Sequence, residues 1–267
     1  MSPLIRLIIF DWAGTTVDFG SRAPAAAFRR LYAAHGVEVT EAEARRPMGL
    51  NKREHLLQMF GDASIAARWR ATHGREWCDR DVDAMYHEFM PLQLETIQDH
   101  SLLVPGLLET VTQLRAQGLK VGGTSGYFRA AMETVTEIAA GRGFQVDANV
   151  GADDVASGRP APWMIFRVME RLGVYPASAV VNVGDTVADI GAGLAAGCWS
   201  IGVCDSSSLT GLSEAEFCQL PETERRARVA VTAEIFRGAG AHATIDSIQD
   251  LPSLIERLSG TPRRLYN

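Results

Sequence analysis

The stretch Leu7-Ile8-Ile9-Phe10-Asp11-Trp12-Ala13-Gly14-Thr15-Thr16 decides the fold. Four apolar residues in a row, closed by a turn signal, read as a fully buried strand of a parallel sheet. Asp11 then falls at the strand's C-terminal end, the edge at which open α/β sheets hold their ligands. Gly14 allows a sharp turn, and Thr15 and Thr16 set hydroxyl and amide donors beside the carboxylate. An acid presented in this way is a nucleophile, a metal ligand or both. The alternative is an aspartate that caps the helix of an ordinary βα loop. This stretch leaves both open.

The chain's 267 residues suffice for a well-buried core, as one large domain or one with an inserted module. Its 46% hydrophobic and 22% charged residues are ordinary globular values and argue against disorder. A formal net charge of -6 argues against nucleic acid or a membrane surface as partner. The N-terminal apolar run carries one arginine, Arg6, and is cut short by Asp11, unlike a signal peptide or a membrane span. Cys78, Cys198, Cys204 and Cys218 show no CxxC spacing. Reduced thiols and a cytoplasmic location are expected.

After Asp18 the pattern turns helical as far as about Ile97. Phe28, Leu31 and Tyr32 mark one face of a first helix ended by Gly36, and Glu41 to Arg45 forms a second. Met48-Gly49-Leu50-Asn51-Lys52-Arg53-Glu54-His55 turns into a third, and Val82 to Ile97 forms a long one with an expected kink at Pro91. Next come a helix from Pro105-Gly106 to Gln117, a second strand running into a glycine-rich turn over Lys120 to Tyr127, and a short strand over Asp147–Gly151. The loop Gly158-Arg159-Pro160-Ala161-Pro162 leads into a helix over Trp163–Leu172. Ala179–Val183 is a strand ending in Gly184-Asp185-Thr186-Val187-Ala188-Asp189, a helix runs to Ala196, and Trp199–Val203 is a fifth strand. Alternating strands and helices imply a doubly wound parallel sheet of the α/β class. Residues 1–18 and 100–267 are expected to form that core, with residues 19–99 as an inserted all-helical cap domain.

The strand ends converge on one edge and bring together Asp11, the hydroxyl of Ser125, the cation of Arg159, and Asp185 with Asp189. Asp11 with Asp185 suits Mg²⁺, usually held by one or two carboxylates together with phosphate oxygens. Ser125 and the amides of its turn, Gly126 and Tyr127, suit a phosphoryl oxygen, and Arg159 can offset its charge. Such a set performs phosphoryl transfer through an aspartyl-phosphate.

At these residues the chain resembles the haloacid-dehalogenase superfamily of phosphotransferases. Asp11-Trp12-Ala13-Gly14-Thr15, Ser125, Arg159 and Gly184-Asp185 through Asp189 follow that superfamily's four motifs in order, with a helical cap between the first and second. The resemblance implies a Rossmann-like core. The departure is Ala13, where superfamily phosphatases carry the aspartate that protonates the leaving oxygen. An alanine has no proton to give, but its carbonyl can still serve a metal.

On the cap, Asn51 reads as a helix N-cap with Glu54 completing a capping-box-like pair, which makes Lys52 the first helical residue. The positive helix end and the nearby Arg45, Arg46 and Arg53 are expected to disfavour its ammonium form. Alone, Lys52 reads as an ordinary solvated lysine. Opposite an aspartate nucleophile without its acid partner it reads as an imine-forming amine, with His55 on the same helix face to move protons. A carbon–phosphorus bond next to an aldehyde accounts for both features, because an imine accepts the electrons that phosphorus leaves behind.

The chain is accordingly similar to the phosphonatase family over nearly its whole length. The resemblance is carried by Phe10 to Asp18, Arg46-Pro47-Met48-Gly49-Leu50 with Lys52 and His55, Thr124 to Tyr127, Gly158-Arg159-Pro160 with Pro162-Trp163-Met164, and Val183 to Val187 with Asp189. It implies cleavage of phosphonoacetaldehyde to acetaldehyde and phosphate, with Asp11 as nucleophile and Lys52 as Schiff-base residue. It implies Mg²⁺ on Asp11, the Ala13 carbonyl and Asp185, backed by Thr186 and Asp189. Thr15, Met48, His55, Ser125, Gly126, Tyr127 and Arg159 would meet the substrate. It also implies a homodimer joined through the caps. Ser21 and Ser125 stand where relatives often carry cysteine and threonine. The competing readings are a phosphatase or phosphomutase of the same superfamily and an inactive regulatory protein.

Overall fold

The computed structural model describes residues 5–260, so the ends of the expected core span, 1–4 and 261–267, lie outside the described residues. Strand β1 is Leu7–Asp11, buried throughout because a sheet covered on both faces leaves none of its side chains at the surface. The helices α1 (Arg22–Ala34), α2 (Glu41–Arg45), α3 (Lys52–Gly61), α4 (Ala63–His73) and α5 (Asp79–His100) follow. They pack around an apolar cluster of their own that includes Phe28, Leu31, Tyr32, Leu56, Phe60, Trp69, Met85 and Phe89. The helix α5 runs continuously through Pro91, and its Ile97, with Met90 and Leu94, joins the cluster of the sheet instead. The helical segment is thereby seated on the sheet by its last helix.

The chain then alternates: α6 (Leu107–Ala116), β2 (Lys120–Ser125), α7 (Arg129–Gly141), β3 (Ala148–Gly151), α8 (Trp163–Leu172), β4 (Val180–Gly184), α9 (Val187–Ala195) and β5 (Trp199–Val203). Beyond the five expected strands come α10 (Glu214–Gln219), α11 (Glu222–Gly238), β6 (Ala243–Ile245) and α12 (Leu251–Gly260). Among the described residues the six strands form one sheet in the order β3-β2-β1-β4-β5-β6, and every pairing is parallel. The chain order reverses on either side of the central β1, so the loops after β1, β2 and β4 share one crevice. Helices α4 and α7 are additions to the expected pattern. Their buried faces are sparse or small, Ile65 and Trp69 in α4 and Ala131, Met132, Val135 and Ala139 in α7, which leaves a faint periodic signal. No helix among the described residues is long and apolar enough to cross a membrane.

The neighbour of Asp11 is pinned by packing across the sheet. Trp12 Nε1 donates to Asn149 Oδ1 at 3.0 Å, over Gly123 of β2. A Cβ at position 123 would lie 2.5 Å from Asn149 Oδ1 and 2.7 Å from Trp12 Nε1. Gly123→Ala should therefore lower stability by about 1–3 kcal/mol, as overpacking does. The check is a lower urea midpoint with an unchanged slope.

Candidate active site

Asp11 caps no helix. The next helix begins at Arg22, and its first amides are taken by Asp18, which accepts from Arg22 N at 2.9 Å and Ala23 N at 2.8 Å. Asp11 instead faces Arg159 of the loop before α8, whose Nη2 lies 2.6 Å from Asp11 Oδ1. The same guanidinium reaches Asp189 Oδ1 at 2.7 Å through Nη1 and donates from Nη2 to the carbonyl of Thr124 at 2.8 Å. Both salt-bridge partners are buried, so the planar fork of arginine fixes two carboxylates at once.

Asp185 closes the cluster. One carboxylate oxygen from each of Asp11, Asp185 and Asp189 lies within 4.8 Å of the others. Gly14 stands against this group at φ +87°, and a Cβ there would collide with the Asp185 carboxylate. Burial, then the charges of Asp11 and Asp189, push Asp185 well above the usual carboxylate range. Burial raises Asp189 to about 7 against the pull of Arg159. Asp185 Oδ1 is buried with no hydrogen-bond partner. Three clustered carboxyls with the unpartnered Asp185 oxygen fit a divalent cation, which would favour their ionised forms.

The cap meets the core at this edge. The backbone approaches so closely that a Cβ on Gly126 would strike the Leu50 carbonyl and one on Gly49 the Thr186 hydroxyl. Between them lies a cavity of about 20 Å³ lined by Asp11, Ala13, Met48, Lys52, Tyr127 and Arg159, with Ser125, Gly126, Asp185 and Thr186 also on its wall. Lys52 is the first residue of α3, as expected, and Asn51 accepts from Glu54 N at 2.9 Å, although the reciprocal half of a capping box is not formed. Burial, 5% exposure in all, lowers the Lys52 amine to about 8; Asp11 and Asp185 raise it and Arg159 lowers it. This corrects the expected cause. Arg45, Arg46 and Arg53 are paired with Glu41, Asp62 and Asp83, and none of them is among the leading causes of the lowering.

Two expected residues stand behind the wall. His55 is fully buried, stacked on Phe28 at 3.9 Å between ring centroids, with Nε2 2.9 Å from the Ala44 carbonyl. Burial and the Lys52 charge hold it well below the ordinary histidine range, so it is neutral and donates from Nε2. The hydroxyl of Thr15 is buried without a partner, and its amide donates to the Trp12 carbonyl at 3.2 Å. Thr186 caps α9 and donates to Asp189 Oδ2 at 2.5 Å, which keeps both beside the cation site. Ser21 and Pro24 line the cavity without having been singled out for binding, and so do Gly49 and Leu50. Ser206, Ser207 and Ser208 were also missed; their signal is a polar run directly after β5, at the edge where ligands bind.

A family model for haloacid dehalogenase-like hydrolases matches residues 5–197. The phosphonoacetaldehyde hydrolase of Nitratidesulfovibrio vulgaris is 45% identical, over 95% of this chain and 91% of its own. That of Syntrophobacter fumaroxidans is 42% identical, over 96% and 92%. A crystal structure of a phosphonoacetaldehyde hydrolase-like protein from Oleispira antarctica superposes with a TM-score of 0.95 at 37% identity, covering 97% of this chain and 94% of that one.

Replacing Arg159 by alanine leaves two buried carboxylates without their counter-charge. The variant should lose roughly 3–5 kcal/mol of stability, the usual consequence of removing one partner from a buried ion pair. A divalent cation should recover more of the melting temperature in Arg159→Ala than in the parent. Melting curves of the metal-free proteins with and without Mn²⁺ check both.

Proposed function

The chain belongs to the haloacid dehalogenase-like hydrolases, among the phosphonoacetaldehyde hydrolases, and we propose from that premise how its residues break a carbon–phosphorus bond. It hydrolyses phosphonoacetaldehyde to acetaldehyde and phosphate. One observation carries the mechanism: a buried lysine amine, lowered to about 8, lines the same cavity as Asp11, and position 13 beside it holds no acid.

In this reading the neutral amine of Lys52 adds to the substrate aldehyde and, with loss of water, gives a protonated imine. An Asp11 carboxylate oxygen attacks phosphorus. The phosphorus–carbon bond breaks, and its electron pair moves into the imine to leave an enamine on Lys52 and a phosphoryl group on Asp11. Protonation of the enamine carbon and hydrolysis of the resulting imine release acetaldehyde. Water then cleaves the aspartyl-phosphate. Carbon, not oxygen, leaves phosphorus, so an acid at position 13 has no proton to deliver to it. Arg159 orients Asp11, and Ser125 with the amides of Gly126 and Tyr127 receives the phosphoryl oxygens.

Mg²⁺ held by Asp11, the Ala13 carbonyl and Asp185, with Thr186 and Asp189 behind them, supplies positive charge to the phosphoryl oxygens when bound. Met48 and Tyr127 pack around the two-carbon unit. Tyr127 stays protonated, since burial and then Asp18, Asp11 and Asp185 push its hydroxyl well above the ordinary tyrosine range. The helical segment 19–99 acts as a cap domain that opens to admit substrate, because the closed cavity holds little more than water. The enzyme works in the cytoplasm as a homodimer joined through its caps, in keeping with its family and with cysteines that form no disulfide among the described residues.

Phosphonoacetaldehyde with Mg²⁺ should yield phosphate and acetaldehyde in equal amounts, and chelation should stop it. The Lys52 amine must be neutral to react, so kcat/KM should rise with pH towards about 8 and fall about tenfold per unit on the acid side. Faster turnover of a phosphomonoester than of the phosphonate would overturn the reading.

A further inference from the structure

The run Ser206-Ser207-Ser208 follows β5 and is buried, although it carries three hydroxyls and takes no part in the chemistry above. Ser206 Oγ donates to the Gly14 carbonyl at 2.7 Å, in the loop that carries Asp11 and Ala13. Ser207 Oγ donates to the carbonyl of Asp185 at 2.6 Å. Ser208 N donates to Asp185 Oδ2 at 2.8 Å. Three consecutive residues therefore grip both acid loops, and the last takes one Asp185 oxygen while the other, Oδ1, is left unpartnered.

The run is itself held from outside. Gly20 N donates to the Ser206 carbonyl at 2.8 Å, Thr210 Oγ1 to that of Ser207 at 2.8 Å, and the cap's Arg45 to that of Ser208 at 3.4 Å. Asp11, Asp185 and Asp189 repel one another, and separate loops bearing them would drift apart unless something fixed their spacing. We propose that Ser206 and Ser207 are positioning residues that set the spacing between the Asp11 loop and Asp185, and so the affinity for the divalent cation.

The inference rests on the reading that Asp11 and Asp185 hold such a cation. Partners that orient metal ligands typically contribute 10–100-fold to metal affinity. The test is direct titration of the metal-free full-length chain with Mn²⁺, followed by electron paramagnetic resonance, with no substrate and no turnover. Ser207→Ala should bind Mn²⁺ about tenfold or more weakly. Ser207→Thr, which keeps the hydroxyl, should bind it nearly as the parent does. Ser206→Ala leaves the bonds of Asp185 intact and should also bind Mn²⁺ more weakly than the parent, with a melting curve confirming that it is folded. Parental affinity in both alanine variants, or equal weakening in Ser207→Thr and Ser207→Ala, would overturn the proposal. If the parent itself binds no Mn²⁺, or Asp185→Asn binds it equally well, the cation reading fails first and the positioning role falls with it.

Discussion

Three carboxylates confined to one buried edge, with a single guanidinium between two of them, is the constraint on which this structure depends. With facing oxygens within 4.8 Å, each pair would repel, if ionised, by about 3 kcal/mol or more for an effective dielectric constant of about 20. Such a cluster persists only if its backbone is fixed and its charge is met. The parallel sheet fixes the backbone by ending β1, β2 and β4 on one line. Arg159 meets part of the charge through Asp11 and Asp189, and the remainder suits a cation. Arginine is required there because lysine offers a point charge and cannot span two acids and the Thr124 carbonyl.

The cap answers a different need. An amine in water is protonated and cannot attack a carbonyl, whereas one taken out of water by α3 and the Met48–Leu50 turn is close to half neutral near pH 8. Desolvation outweighs the attraction of Asp11 and Asp185 for the ammonium ion. The close approach of Gly126 to Leu50 and of Gly49 to Thr186 is what permits that burial, since a side chain at either glycine would hold the cap away. Burial of the amine and its lowered basicity are thus one effect, and Ala13 adds no acid to the cavity wall.

Much of this was legible in the sequence wherever a residue's role is set by its immediate neighbours. The run Leu7–Phe10 before Asp11 defined the central strand, Asn51 defined Lys52 as a first helical residue, and Trp199–Val203 matched its strand residue for residue. The lowering of Lys52 was anticipated but its cause was not, because burial under a closed cap is a tertiary property while adjacent arginines are visible in the chain. His55 shares a helix face with Lys52, yet packing against Phe28 turns it into the cap core. The hydroxyl of Ser206 meets Gly14 across 192 positions of chain, which no local pattern records. The last helices and β6 escaped notice for a related reason, since a three-residue, partly buried edge strand carries almost no periodicity.

The covalent bond proposed between Lys52 and the substrate carbon is directly measurable in a chain of this composition. The chain contains two lysines, Lys52 and Lys120, and the latter starts β2, at the opposite strand end from Ser125, with Nζ donating to the Leu172 carbonyl at 2.7 Å. Borohydride added during turnover of phosphonoacetaldehyde should inactivate the enzyme irreversibly, and peptide mass spectrometry should find the added carbons on Lys52 and none on Lys120. Full activity after such treatment, or labelling of Lys120 without Lys52, would contradict the imine and leave a cation-dependent phosphotransferase in its place.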